Sequence, residues 1–185
     1  KRQELSHASD SKHCRRCGAP LHYDLVFIAH LGHYRCEQCG AGRPTPQVTA
    51  APIALRGLRG STFTVSPPRG SIDVKLPLPG LYNVYNALAA AALASTLDAT
   101  QTEIDAGLTQ IAPAFGRGET VTVDGHDLLL LLVKNPTGAN EVLRTLALES
   151  EPLELLILLN DQIADGRDVS WICLLYTSPS PRDRT

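Results

Sequence analysis

Four cysteines near the start of the chain have the spacing of a metal site. Cys14 and Cys17 form one C-x2-C pair, and Cys36 and Cys39 form a second pair after eighteen intervening residues. Each pair can direct two thiolates at one ion, and four thiolates complete the tetrahedral shell of structural zinc. A closed shell leaves no position for water, so the predicted Zn2+ holds a ribbon together over about residues 13–42. Disulfides and a catalytic dithiol pair are the alternatives.

Two amides and a guanidinium could bind a polar ligand. Asn83 and Asn86 lie three positions apart in "NVYN" and would share one face near the start of a helix. Asn is a poor residue for a helix interior, because its side chain competes for the backbone, so two amides on one face suggest binding. One capping Asn and one surface Asn would give the same pattern. Arg117 in "FGRGE" could reach phosphate or sugar oxygens, or be an ordinary exposed loop arginine.

A further candidate loop follows the apolar run from Leu128 to Val133. Lys134 and Asn135 come next, and Pro136 precedes an amphipathic segment. In open α/β sheets, ligands bind beyond the carboxyl ends of the strands. We therefore expect this loop either to face a ligand or simply to turn the chain from strand into helix.

Periodicity and turn residues predict the elements that position these candidates. Residues 48–55, 61–65 and 71–76 are rich in β-branched residues and predict a meander. Helices are predicted from Leu81, at 103–111 behind a Thr100 capping box, and at 138–148. Asp124-Gly125 predicts a hairpin, and 153–159 predicts a further buried strand. Strand, helix and strand in this order indicate an α/β fold with a parallel sheet and a domain boundary near 113–118.

Composition narrows the classes of function. A net charge of -2 and a pI near 6.3 argue against a protein that holds nucleic acid through a basic face. The longest apolar run is too short to span a bilayer and no signal segment opens the chain, so we expect a cytoplasmic protein. The chain contains no Met, which suggests a fragment. "CLLYTSPSPRD" resembles a translated library adapter, so residues 173–185 are expected to be an artefact.

Several of these motifs together resemble the Mur ligase family. "GLYNVYNALAAAALA" is similar to the family helix N-x-x-N-x-x-A-A, "FGRGE" to the G-R-x-E turn that ends the central ATPase domain, and "LLVKNPTGANEVL" to the opening of the carboxyl-terminal domain. The inserted ribbon and "NDQIADGRDVSWI" narrow the resemblance to the amidating branch of the family. It implies a partial central domain over residues 1–116 and the start of a Rossmann-like carboxyl-terminal domain over residues 117–172.

The resemblance also implies an activity. Enzymes of this branch use ATP and Mg2+ to amidate the α-carboxylate of D-glutamate in the lipid II stem peptide, giving D-isoglutamine. The ammonia comes from a GatD-type glutamine amidotransferase subunit. The protein would then be cytoplasmic, working at the inner face of the membrane where lipid II lies. A folylpolyglutamate-synthase-like ligase and a zinc-ribbon module for interaction or nucleic-acid binding are the alternatives.

Site residues follow from the same resemblance. Asn83 and Asn86 would approach adenine, Arg117 would contact ribose or phosphates, and Lys134 and Asn135 would line the cleft between domains. Asp168, with Asp165 as the near alternative, would orient the catalytic His of the partner subunit, and Arg167 would contact phosphate or partner. The chain departs from the family in having no G-x-x-G-K-[ST] phosphate loop. We therefore expect that this chain alone does not hydrolyse ATP.

Overall fold

The computed structural model describes residues 11–113 and 116–158. These residues divide into two compact units. One unit contains residues 11–44, 134–140 and 151–158. The other contains residues 45–133, apart from the undescribed 114–115, together with 141–150.

The cysteine-bearing segment is built on a small hairpin. Strand β1 (His22–Ile28) pairs antiparallel with β2 (Leu31–Arg35). Tyr23, Val26 and Ile28 are buried, and an irregularity in the strand register accounts for the spacing of three between the first two. The Tyr23 hydroxyl donates to the backbone carbonyl of His30 at 3.1 Å, which ties the strand to its own turn. The sequence predicted one β-segment here, and β2 was missed because its turn lacks a Gly or Asn signal.

The predicted meander is confirmed. Its strands are β3 (Thr49–Leu55), β4 (Ser61–Ser66) and β5 (Ile72–Leu76), paired antiparallel in that order. A short 3-10 helix, Gly57–Arg59, joins the first two. On β4 and β5 every second residue points inward, as expected for a sheet with one covered face.

Two helices cover the meander. Helix α1 (Leu81–Thr96) and helix α2 (Gln101–Thr109) contribute Val84, Ala87, Ala91, Ile104 and Leu108 to a core shared with the sheet. The small alanine side chains bring the α1 backbone close to the strands. The predicted capping box is confirmed, since the Thr100 side chain accepts from the Glu103 N–H while the Glu103 carboxylate accepts from the Thr100 N–H. Both helices lie within two residues of their predicted positions.

The Asp124-Gly125 hairpin is also confirmed. Strand β6 (Arg117–Val123) pairs antiparallel with β7 (His126–Leu131). The φ angles of Asp124 and Gly125 are 50° and 80°, so this two-residue turn matches the right-handed twist of the strands. Helix α3 (Pro136–Leu146) follows. Within the part of the chain described here, helices are too short or too polar to cross a membrane.

The strand predicted for residues 153–159 is not found. The described part, 153–158, is irregular, and Leu156 is 84% exposed. A buried parallel strand needs neighbouring strands and covering helices to satisfy its backbone and apolar side chains. Among the described strands each pairing is antiparallel, and β7 pairs with β6 alone.

Candidate functional site

The four cysteines of the ribbon converge on one point. Their Sγ atoms all lie within 4.8 Å of one another, with Cys14 and Cys39 at 3.5 Å and Cys17 and Cys36 at 3.4 Å. Four sulfurs at a zinc–sulfur distance of about 2.3 Å would stand roughly 3.8 Å apart in a regular tetrahedron. The spacing and the donor set therefore form a cluster that could hold a metal ion such as zinc.

Two equivalent backbone turns present these cysteines. The Cys14 N–H donates to the Ala19 carbonyl at 2.7 Å, and the Cys36 N–H donates to the Ala41 carbonyl at 2.6 Å. The residue after each second cysteine is a glycine with positive φ, 76° at Gly18 and 70° at Gly40, with open space where a Cβ would stand. Glycine is needed there for backbone conformation, not for lack of room. The C-x2-C-G repeat is thus one turn used twice.

The two cysteines of the first pair have thiol pKa values shifted in opposite directions. The backbone N–H of Arg16, 3.4 Å from the Cys14 sulfur, is the main reason that the pKa of Cys14 is lowered to about 6. The pKa of Cys17 is raised to about 12, because the N–H of Ala19, which lowers it, is outweighed by the Cys36 thiol and by burial. A divalent cation would favour the deprotonated form of all four sulfurs, so metal binding would release protons.

The first turn of α1 holds the two asparagines in one hydrogen-bonded pair. Asn83 is buried and its amide nitrogen donates to the Pro79 carbonyl at 2.8 Å. Asn86 is exposed, and its amide nitrogen donates to the Asn83 side-chain oxygen at 3.2 Å. Asn83 thus fixes the start of the helix and orients Asn86. Asn83 therefore has a structural role, whereas Asn86 is the asparagine of the pair that is exposed at the surface.

Arg117 is exposed at the start of β6 and lies between two glycines with positive φ. Gly118 has φ 90°, and a Cβ placed on it would stand 3.3 Å from Cδ of Pro79. The turn that carries Arg117 therefore packs on the residue whose carbonyl anchors Asn83. The structure brings Asn83, Asn86 and Arg117 into one compact unit, in which Pro79 accepts from the Asn83 side chain and faces Gly118, the neighbour of Arg117.

Tyr82 lies among these groups and was missed by sequence reasoning. Burial raises the pKa of Tyr82, whereas a hydrogen bond with the Asn83 side chain and the charge of Arg117 lower it, and Glu141 raises it. The Tyr82 ring packs on Gly80, where a Cβ would stand 2.6 Å from the ring carbon Cε1 and 3.1 Å from the Thr145 hydroxyl oxygen. The sequence signal that could have pointed to this contact is the spacing of Glu141 and Thr145. These two polar residues are four apart and so share one face of an amphipathic helix.

The remaining predicted residues lie elsewhere. Lys134 and Asn135 belong to the other compact unit. Asn135 is the N-cap of α3, where its side-chain oxygen accepts from the Gly138 N–H at 2.7 Å and Pro136 takes the first helical position. Asp168, with Asp165 and Arg167, lies outside the described residues, as does the expected artefact tail.

Comparison with known proteins identifies the relatives of this chain. A family model for the Mur ligase middle domain matches residues 31–94, and a model for the MurT ligase C-terminal domain matches residues 132–173. The chain is 36% identical over 159 residues to the MurT subunit of lipid II isoglutaminyl synthase (glutamine-hydrolyzing) from Streptococcus pneumoniae. That match covers 86% of this chain and 35% of the relative, so the chain spans about a third of the relative's length.

Solved structures give the same family. A pseudomurein peptide ligase type C from Methanothermus fervidus is 34% identical with a TM-score of 0.65, covering 77% of this chain and 28% of the other. MurF from Acinetobacter baumannii is 31% identical with a TM-score of 0.51, covering 56% and 23%. The predicted resemblance and the predicted α/β fold of Mur ligase type are thereby confirmed: the chain carries segments that match a Mur ligase middle domain and a MurT C-terminal domain.

Proposed function

We propose that this chain is part of an ATP-dependent ligase of peptidoglycan synthesis that amidates the α-carboxylate of D-glutamate in lipid II. The observation that carries the proposal is the similarity to a MurT subunit, which covers 86% of the chain, together with the two matched domain models. The name of that relative specifies a glutamine-hydrolysing synthase. We therefore assign the ammonia supply to a separate GatD-type glutaminase subunit and place the reaction on the cytoplasmic side, where lipid II is assembled.

The chemistry requires activation of a poor acyl donor. A carboxylate does not lose its oxygen readily, so ATP first transfers its γ-phosphoryl group to that oxygen, giving an acyl phosphate and ADP. Ammonia then attacks the carbonyl carbon, the C–O bond to phosphate breaks, and the proton lost from nitrogen passes to the departing phosphate, leaving the amide and hydrogen phosphate. The protein contributes position and neutralisation of charge, since neither step needs a covalent bond to a side chain.

In this proposal the pair on α1 and the turn at β6 bind the nucleotide. Asn86 presents an exposed amide that can both donate to and accept from adenine, while buried Asn83 holds it in place through the 3.2 Å hydrogen bond. The exposed guanidinium of Arg117 is suited to ribose or phosphate oxygens. Shared contact with Pro79 supports a common ligand for the two elements.

Three further residues keep the roles implied by the resemblance. Lys134 and Asn135 would face the nucleotide from the second domain, although the side chain of Asn135 already caps α3. Asp168 would orient the His of the partner glutaminase. Mg2+ would accompany ATP, and its ligands are not among the assigned residues of this chain.

The ribbon is assigned a structural role. Four thiolates from two equivalent turns fit Zn2+, which would cross-link the segments on either side of the β1–β2 hairpin. A closed four-sulfur site supplies stability, and the amidation chemistry does not require it.

A product assay tests the proposed function. The chain would be expressed within its longest natural reading frame, together with the neighbouring glutaminase, and supplied with lipid II, ATP and glutamine. We expect ATP-dependent formation of D-isoglutamine, seen by mass spectrometry as replacement of a hydroxyl by an amino group. Transfer of an amino acid to the substrate would contradict the proposal, and so would activity on a folate substrate. Salt-dependent binding of RNA, without any ligase activity, would also contradict it.

A further inference from the structure

The segment that follows α3 is fixed to a distant turn by one carboxylate. Oε1 of Glu149 accepts a hydrogen bond from the backbone N–H of Leu58 at 2.7 Å, across 91 residues of sequence. The Glu149 side chain is only 15% exposed, and Arg59 adds an ion pair at 3.9 Å from a largely exposed position. An N–H bonded to a buried charged acceptor is among the stronger hydrogen bonds in proteins, whereas the exposed ion pair contributes little.

Gly57 creates the space that this carboxylate occupies. A Cβ on Gly57 would overlap the Glu149 side chain, and the φ of 60° at this position is one that other residues adopt with strain. The contact therefore depends both on the missing Cβ of Gly57 and on its tolerance of a positive φ. The 3-10 helix Gly57–Arg59 has no side-chain cap of its own at its start.

Glu149 continues a stripe of polar residues along α3. Glu141, Thr145 and Glu149 are four residues apart, and backbone hydrogen bonds from Leu148 and Glu149 to Thr145 and Leu146 carry the helical turn beyond the end of α3. Glu141 is 4% exposed and Thr145 is 6% exposed. Thr145 lies beside Gly80 and Glu141 influences Tyr82, so the other end of the stripe meets the first turn of α1.

We infer that Glu149 is a positioning residue that holds residues 141–150 against the first turn of α1 and so fixes the arrangement of Tyr82, Asn83 and Arg117. The part of this inference that concerns nucleotide binding rests on the proposed function. The anchoring itself does not depend on it, because both contact partners and the stripe lie within one compact unit.

Hydrogen exchange of the whole chain tests the anchor without any ligand. Glu149→Ala is expected to speed hydrogen exchange of the Leu58 amide on the order of tenfold. Exchange of the amides of 141–146 should also become faster. Glu149→Gln keeps the acceptor oxygen and should restore most of the protection from exchange. Gly57→Ala should reduce the protection as Glu149→Ala does, because the added Cβ displaces the Glu149 side chain. Glu151→Ala, at an exposed position nearby, is the matched control. Faster exchange at Leu58 with unchanged amides at 141–146 would overturn the inference.

Nucleotide binding tests the positioning role. Titration with MgATP should give a dissociation constant roughly tenfold weaker in Glu149→Ala, restored in Glu149→Gln, and the KM for ATP should rise more than kcat falls in the amidation assay. Unchanged MgATP affinity in Glu149→Ala would overturn this role. If the wild-type protein binds no nucleotide, the proposed function fails, and the exchange experiment still decides whether Glu149 anchors α3.

Discussion

Gly118 faces the ring of Pro79, so that a Cβ on the glycine would stand 3.3 Å from Cδ of the proline. Through this contact the turn that carries Arg117 lies against the residue whose carbonyl accepts from Asn83 at 2.8 Å. A sequence separation of almost forty residues is thus reduced to one van der Waals contact. This places the two elements of the proposed nucleotide site on a common support.

The contact predicts a specific cost for a methyl group at position 118. Gly118→Ala should destabilise the protein by about 2 kcal/mol or more, since strain at φ 90° adds to the clash with Pro79. Gly125→Ala is the matched control, with φ 80° and open space around its Cβ, and should cost only about 1 kcal/mol. Urea unfolding measures both, and equal losses would show that the contact with Pro79 is unimportant.

Metal removal should affect the ribbon alone. We predict one equivalent of zinc per chain, and its removal by a chelator should unfold residues 11–44 while the meander with α1 and α2 stays folded, because their core contains none of the ribbon residues. Metal analysis and amide NMR spectra report the two effects. Cys36→Ser should abolish stoichiometric zinc, and Cys173→Ser, a change at the fifth cysteine of the sequence, should retain it. A ribbon that stays folded without metal would refute the structural role.

The capping box of α2 predicts a pH-dependent contribution to stability. Thr100→Ala should cost about 1 kcal/mol at pH 7. Hydrogen bonds from the Thr100 N–H and hydroxyl hold the pKa of Glu103 below its ordinary value. A carboxylate whose pKa is depressed on folding stabilises the protein above its unfolded-state pKa, and this contribution is lost as pH falls through the folded-state value.

The difference in unfolding free energy between wild type and Thr100→Ala should therefore shrink below about pH 4. Thermal unfolding across this range measures it. Thr102→Ala, at the exposed second residue of the same helix, serves as the control and should show little dependence on pH. A difference that stays constant down to pH 3 would mean that the Thr100 hydroxyl does not bond the Glu103 carboxylate in solution.

The asparagine pair predicts a division between stability and binding. Asn83→Ala leaves the Pro79 carbonyl and the Asn86 amide without their partner, so it should destabilise the protein by about 1–3 kcal/mol. Asn86→Ala removes an exposed side chain and should change stability little, while weakening nucleotide binding. Urea unfolding combined with ATP titration separates the two. The prediction fails if both variants lose the same stability and the same affinity.

Local signals in the sequence predicted much of this structure. The C-x2-C pairs, the Thr100 capping box and the Asp124-Gly125 turn each specify geometry through residues within five positions, and all three are found. The contacts that assemble the site are of another kind. Thr145 beside Gly80 depends on how α3 packs on the start of α1, and Glu149 reaches Leu58 across 91 residues. Patterns of period two or 3.6 carry no information about such partners.

The strand predicted for 153–159 shows that a local pattern can also predict an element that the structure lacks in its described part, 153–158. Its apolar run has the composition of a buried strand, but pairing depends on neighbours that a local pattern does not specify. Leu155 and Ile157 are 59% and 73% exposed in the structure. The amphipathic α3 was placed within two residues of its true bounds because its apolar period is local, whereas the cap formed by Asn135 and Pro136 was interpreted as a loop.

The affinity of the amidating protein for MgATP in Arg117→Ala and Asn86→Ala variants tests the central claim most directly. We predict that each variant binds MgATP roughly tenfold more weakly, with thermal stability unchanged. Arg69→Ala, a change at another exposed arginine of the same compact unit, should match the wild type. Wild-type affinity in both Arg117→Ala and Asn86→Ala would show that α1 and the β6 turn do not share a nucleotide, and would contradict the account.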